Sequence, residues 1–83
     1  MEYVIATYRS RSVSMRAYNY LVNQGVTCAL ISTPQRANVG CGLSVKFNKE
    51  VLSRVRNVLS QGETFVGFFL VRINFSGTTV VRI

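Results

Sequence analysis

The chain of 83 residues contains no histidine and only three acidic residues, Glu2, Glu50 and Glu63. A protein-ligated metal needs several histidine, cysteine or carboxylate ligands close together, so we expect no metal site. The same shortage removes histidine-based acid–base chemistry and the paired carboxylates of glycosidases. We therefore expect a protein that is not an enzyme and that carries no cofactor.

Cysteines and long apolar runs are also scarce. Cys28 and Cys41 are too few for a disulfide-rich secreted scaffold, and their spacing is not of the CxxC type. The longest apolar run, Phe65 to Val71, is far shorter than the roughly 20 residues that span a bilayer. The first ten residues lack the basic and apolar regions of a signal peptide. We expect a soluble cytoplasmic protein with no membrane partner.

The composition that is present indicates one packed domain over residues 1–83. Hydrophobic residues make up 48% of the chain and charged residues only 16%. The net charge of +7 would attract nucleic acid, anionic metabolites or an acidic protein partner. The same charge is equally compatible with ordinary solubility charge on a small surface.

Hydrophobic periodicity predicts five strands and two helices. Apolar residues at helical spacing indicate a helix over Val13 to Gln24, with a serine of the preceding turn as N-cap and Gly25 just past its end. A second helix is predicted over Lys49 to Ser60 after an Asn48 cap. Alternating or β-branched runs predict the following strands: Glu2 to Tyr8, Val26 to Ser32, Leu43 to Phe47, Thr64 to Asn74 and Thr79 to Arg82.

The order β-α-β-β-α-β predicts an α+β, ferredoxin-like split βαβ sandwich in two layers, with a short extra C-terminal strand. In that topology three loops lie at one end of the sheet: the loop after strand one, the loop between strands two and three, and the loop after helix two. We therefore expect Ser10, Arg11, Arg36 and Cys41 to share one edge. Since both faces of the long strand Phe65 to Asn74 are apolar, we also expect a second subunit (a homodimer) or the Thr79–Arg82 strand to cover the open sheet face or an edge.

Thr33 to Phe47 contains the most distinctive pattern, a cysteine between Gly40 and Gly42. A thiol with two glycine neighbours has little side-chain cover, and nearby arginines or a helix N-terminus would lower its pKa. Cys41 is then a nucleophilic or group-carrying cysteine. The alternative is that Cys41 points into the core, because it would lie on the same face of an extended chain as Leu43 and Val45.

Two other observations concern Cys28 and nucleic-acid binding, and both weigh against a functional role. Cys28 lies in the middle of a predicted strand, where a small hydrophobic residue is usual. An RNA-recognition module would place aromatic residues around Gly40 and Gly42, where Cys41 and Leu43 stand instead. This mismatch disfavours nucleic acid as a partner.

The segment TPQRANVGCGLSVKF resembles the small bacterial family called "putative Se/S carrier protein-like". The resemblance spans roughly residues 3 to 60. It is most specific at Thr33-Pro34-x-Arg36 and at Cys41-Gly42-Leu43-Ser44, while Ser10 and Met15-Arg16-Ala17 match more loosely.

The resemblance implies a single-domain carrier in selenium or sulfur metabolism, with Cys41 holding the chalcogen as a persulfide-type adduct. Donor and acceptor proteins for sulfur or selenium are the implied partners. Arg36, Arg11 and Ser10 would support the thiol, and Gly40 and Gly42 would form its loop. The alternative function is a small binding or regulatory module that receives an anionic metabolite or a protein partner at a basic edge.

Overall fold

The computed structural model describes residues 1–37 and 42–83, and within them the elements follow the predicted order. The two helices are α1 (Arg11–Asn23) and α2 (Leu52–Leu59), and α2 directly follows a 3₁₀ turn at Lys49–Val51. A further 3₁₀ turn, Gln35–Ala37, was not predicted. The strands are β1 (Glu2–Tyr8), β2 (Cys28–Ser32), β3 (Leu43–Phe47), β4 (Phe65–Asn74) and β5 (Gly77–Arg82).

The predicted capping residues are confirmed. The Ser10 side chain accepts a hydrogen bond from the Val13 amide at 3.4 Å, so α1 begins two residues earlier than its apolar stripe. At the other end of α1, the Gly25 amide donates to the Val22 carbonyl at 3.0 Å and the Val26 amide to the Leu21 carbonyl at 2.9 Å. This is the hydrogen-bond pattern of a Schellman motif, and it ends the helix before β2 can start.

The strands form a five-stranded antiparallel sheet within the described residues, in the order β2-β3-β1-β4-β5. β1 lies at its centre, and the segments β1, β3 and β4 are close to those predicted. β5 begins at Gly77 and is longer than expected, because it pairs with β4 from Asn74 to Phe69. The sequence correctly indicated a mixed α+β protein with an extra C-terminal strand, and the structure places that strand at the edge of the sheet.

Both helices pack on one face of the sheet. Alternate residues of β1 (Val4, Ala6 and Tyr8) are at most 1% exposed and form one core with Leu21 of α1 and Leu59 of α2. Because side chains alternate along a strand, Tyr3, Ile5 and Thr7 face the opposite side. This division of β1 into two faces is the one that the sequence predicted.

The face opposite the helices is partly covered by the chain itself. Ala37, in the Gln35–Ala37 turn, is only 1% exposed and packs with Ile5, Phe69 and Val71. Val80 of β5 packs against the same cluster. The sequence analysis did not foresee the turn as a cover, because it placed the whole segment at the end of the sheet.

Candidate functional site

The predicted thiol and one of its glycines, Cys41 and Gly40, lie outside the described residues. The chain on either side of them is described, from Thr33 to Ala37 and from Gly42 onward. The candidate site is therefore characterised by the stem of this loop and by the elements that contact the stem.

Backbone and side-chain hydrogen bonds close the stem. The Thr33 amide donates to the Gly42 carbonyl at 2.7 Å, which continues the β2–β3 ladder by one pair. The Thr33 and Ser44 hydroxyl oxygens are 2.6 Å apart, and Ser44 is fully buried. Gly42 has a φ of +85°, a conformation that favours glycine over every residue with a Cβ. The stem is thus defined at the residue that directly follows Cys41 in the sequence.

The first turn of α1 is attached to the same stem. Ser14 is fully buried, and its hydroxyl donates to the Leu43 carbonyl at 2.9 Å. Ser10, the N-cap, lies four residues before Ser14, and the Ser14 amide donates to the Ser10 carbonyl at 3.1 Å. Ser10 and the α1 N-terminus therefore lie at the same end of the sheet as Leu43, while their proximity to Cys41 stays a prediction.

Positive charge predominates around the α1 N-terminus. Arg9 and Arg11 are exposed there, and the first turn of α1 contains no acidic residue. The Arg9 amide donates to the Thr64 carbonyl at 2.7 Å, which brings the turn after α2, with the exposed Glu63, to the same end. A helix N-terminus adds a partial positive charge of about half a unit. This end of the sheet therefore favours an anion such as a thiolate.

Arg36 lies elsewhere, contrary to the expectation of a shared edge. Its Nη1 donates to the Thr78 carbonyl at 2.5 Å, near the start of β5. Thr78 pairs with Ile73, at the opposite end of the sheet from Ser44 and Thr7. The segment after Thr33 crosses the face away from the helices, so Arg36 and Arg11 lie on opposite sides of the sheet.

Cys28 packs against the core as predicted, but it is the first residue of β2 and does not lie in the middle of the strand. It is half-buried in β2, and its Sγ lies 3.9 Å from the Tyr18 carbonyl oxygen, to which the thiol donates. Burial raises the pKa of the Cys28 thiol, which lowers the fraction of reactive thiolate. Cys28 pairs with Phe47, five residues beyond Gly42 along β3, which is about 16 Å. It is a free thiol, remote from the loop stem.

Residues 1–37 and 42–83 contain no cluster of three or more histidine, cysteine or acidic side chains that would hold a metal ion. Over the same residues, neither helix has the length and apolar character needed to cross a membrane. The stem groups that sequence reasoning missed are the hydroxyls of Ser14, Thr33 and Ser44. The spacing of Ser10 and Ser14, one helical turn apart, was the available signal for the first of them.

Comparison of the chain with models of protein families gives the same family as the motif at Thr33 to Phe47. The model of the family described as "Putative Se/S carrier protein-like" matches residues 3–67. Searches of curated proteins and of solved structures gave no match. The matched region includes the loop, its stem, both helices and the first three residues of β4, but none of β5. Because the match spans most of the 83 residues, the chain belongs to the Putative Se/S carrier protein-like family.

Proposed function

We propose that this protein is a sulfur or selenium carrier that holds the chalcogen on Cys41 and passes it to a partner protein without turnover chemistry of its own. The single observation that carries the proposal is the anchored loop stem. Gly42, next to Cys41 in the sequence, is bonded to Thr33, and the adjoining Leu43 is bonded to Ser14 of α1. Membership of the Se/S carrier-like family supports a carrier role for the protein, and we assign that role to Cys41.

The loading step is an exchange between a thiolate and a persulfide. The Cys41 thiolate attacks the terminal sulfur of a donor persulfide, R–S–SH, and a new S–S bond forms as the donor S–S bond breaks. The products are the Cys41 persulfide and the donor thiolate, R–S⁻, so charge and oxidation level balance. A selenopersulfide donor, R–S–SeH, transfers selenium in the same way, and delivery is the reverse reaction on an acceptor.

The α1 N-terminus supports the thiolate in this proposal. Ser10 caps the helix whose first turn contacts the stem, and Arg11 adds a full positive charge there. We do not assign this role to Arg36, because its guanidinium contacts Thr78 across the other face. Gly40 and Gly42 provide a backbone without bulky side chains on either side of the thiol.

The fold type that we propose is ferredoxin-like. The order β4-β1-β3-β2 within the sheet supports it, as does the packing of both helices on one face, with β5 as an addition at the β4 edge.

The test is to incubate the protein with a low-molecular-weight persulfide, remove the reagent and locate the added sulfur by mass spectrometry of the intact chain and its peptides. The wild-type protein and Cys28→Ser should each gain one sulfur atom on Cys41. Cys41→Ser should gain none and should unfold at the same urea concentration as wild type. Iodoacetamide at neutral pH should modify Cys41 faster than Cys28, whose thiol pKa is raised by burial.

Sulfur found only on Cys28, or equal alkylation of both thiols, would contradict the carrier role. A Cys41→Ser protein that does not fold would indicate that Cys41 is a structural residue of the core, and this result would overturn the proposal. If neither cysteine is loaded and the protein instead binds an anionic metabolite at its basic edge, the alternative function as a binding module replaces it.

A further inference from the structure

The outer edge of β5 presents unpaired backbone groups. The Ile83 amide donates to the Phe68 carbonyl at 3.0 Å, so Phe68 and Ile83 form a hydrogen-bonded pair. Such pairs alternate along an antiparallel ladder, and therefore Thr79 and Val81 also direct their backbone groups toward β4. Thr78, Val80 and Arg82 direct theirs away from the sheet. This edge offers three amides and two carbonyls, those of Val80 and Arg82, at the spacing of a strand, because the Thr78 carbonyl already accepts from Arg36.

Two arginines line this edge on the face away from the helices. Arg36 donates to the outward-directed Thr78 carbonyl at 2.5 Å, and the Arg82 Nη1 donates to the Val66 carbonyl at 2.9 Å. Arg82 also lies over the Phe69 ring, with 4.9 Å between Cζ and the ring centroid. Neither guanidinium has a carboxylate partner in the part of the chain that the structure describes. The edge therefore carries two positive charges that no acidic group compensates.

The other face of the same edge is apolar. Val81 is 55% exposed and Ile83 is 44% exposed. On the arginine face, a groove of about 270 Å³ lies between the Gln35–Ala37 turn and β5, and Val80 is part of its lining. A strand added to β5 would thus have basic groups on one of its faces and apolar groups on the other.

Charge repulsion disfavours a second copy of the chain at this edge. Antiparallel pairing of two β5 strands about Val80 would place Thr78 of one copy opposite Arg82 of the other and would keep corresponding faces together. Arg36 and Arg82 of both copies would then meet on one face, with no Asp or Glu side chain in residues 64–83. Like charges at such a junction are unfavourable.

From these observations we propose that β5 receives an extended segment of a partner protein in which acidic and apolar residues alternate. The backbone of the segment pairs with the amide of Thr78 and with the amides and carbonyls of Val80 and Arg82. Its acidic side chains face Arg36 and Arg82, while its apolar side chains face Val81 and Ile83. Strand addition of this kind takes its affinity from main-chain hydrogen bonds and its specificity from alternate side chains. β5 lies beyond residues 3–67, so this surface goes beyond the family match and the proposed carrier function.

The test uses a short capped peptide of alternating valine and glutamate as the probe, titrated into the full chain and followed by NMR and amide hydrogen exchange. Bound peptide should slow exchange at the amides of Thr78, Val80 and Arg82. The amides of Thr79 and Val81 should change little, because β4 already protects them. Raising the salt concentration should weaken binding, and a peptide with lysine in place of glutamate should not bind.

Val80→Pro is the variant that removes a donor from the outer edge without breaking a bond to β4. It should weaken binding about tenfold or more, since it removes one hydrogen bond and obstructs strand approach. Ser32→Pro, at an outward-directed and exposed position of the opposite edge strand β2, is the matched control and should bind normally. If Val80→Pro does not fold, a valine–glutamate peptide with N-methylated backbone amides makes the same test on the wild-type chain and should not bind.

Three results would overturn the proposal. The first is peptide-induced protection at β2 or at the helices instead of β5. The second is equal binding of the glutamate and lysine peptides, which would remove the charge argument. The third is a concentration-dependent dimer in sedimentation that Val80→Pro abolishes, which would show that a second copy occupies the edge.

Discussion

Gly42→Ala separates the geometry of the loop stem from the stability of the protein. Gly42 has a φ of +85°, and among residues 1–37 and 42–83 no heavy atom outside its chain neighbours lies within 4 Å of the position of an added Cβ. The added methyl group therefore meets no clash there, and the loss of stability comes from holding alanine in a left-handed backbone conformation. Alanine in the left-handed region costs about 1–2 kcal/mol, and the reduced entropy of the unfolded chain returns about 0.4–1 kcal/mol of that.

The net loss of stability should be about 1 kcal/mol, which lowers the Tm of a domain of this size by about 4–8 °C. If the backbone relieves the strain by rotating, the Gly42 carbonyl moves away from the Thr33 amide and the stem opens. Because about 1 kcal/mol is roughly a fivefold change in population, sulfur loading of Cys41 should slow by a similar factor. Urea unfolding followed by circular dichroism gives the first quantity, and timed mass spectrometry after addition of a persulfide gives the second.

Gly25→Ala is the matched control. Gly25 has a φ of +75° and equally open surroundings, but it follows α1 at the end of the sheet away from the stem. It should lose about the same stability and load sulfur at the wild-type rate. Equal slowing in both variants would mean that loading follows global stability, and the assignment of the stem as the site would then be refuted.

Two further predictions concern stability. Tyr8→Phe should lower the free energy of unfolding by about 1–3 kcal/mol, because the Tyr8 hydroxyl donates to the Leu59 carbonyl at 2.6 Å and its loss leaves a buried acceptor at a helix end without its partner. The control Tyr20→Phe, at a residue that is 37% exposed, should change the urea midpoint little. Similar losses in both variants would mean that water replaces the Tyr8 hydroxyl. Hydrogen bonds from Lys49 and, to a smaller extent, Arg72 lower the pKa of Glu2 from 4.5 to about 2. The ionised Glu2 therefore stabilises the folded state above pH 4.5, and this contribution is lost as the pH falls toward 2. The difference in urea midpoint between wild type and Glu2→Gln should therefore be constant near neutral pH and should shrink between pH 4.5 and 2, whereas a difference independent of pH over that interval would contradict the ion-pair assignment.

The parts of the fold that could be predicted are those that local sequence determines. The two faces of β1 follow from strict alternation, and α1 follows from its apolar stripe with a serine before it and Gly25 after it. The bounds of β3 were predicted because alternation begins directly after Gly42. In these segments each residue type restricts its own backbone or its own face, so no knowledge of distant residues was needed.

The path of the segment after Thr33 could not be predicted in the same way. Pro34 indicates a turn, but nothing in the turn says which face of the sheet it covers. Ala37 became buried against Ile5 and Phe69, which lie about thirty residues away on either side in sequence. The error in placing Arg36 follows from this, since its expected position assumed that the loop stayed at the end of the sheet.

Hydrogen bonds from side chains around the loop could not be predicted from the sequence, because their acceptors are main-chain carbonyls. The Ser14 side chain donates to the Leu43 carbonyl and the Arg36 side chain to the Thr78 carbonyl. A sequence identifies a donor by its side chain, but every residue has a carbonyl, so the partner carries no signal of its own. Contacts of this kind are set by the register of the sheet, which brings Leu43 beneath the first turn of α1. A cysteine between two glycines can thus be recognised in the sequence, and its role stays a prediction, whereas the bonds that close the stem beside it cannot be recognised in this way.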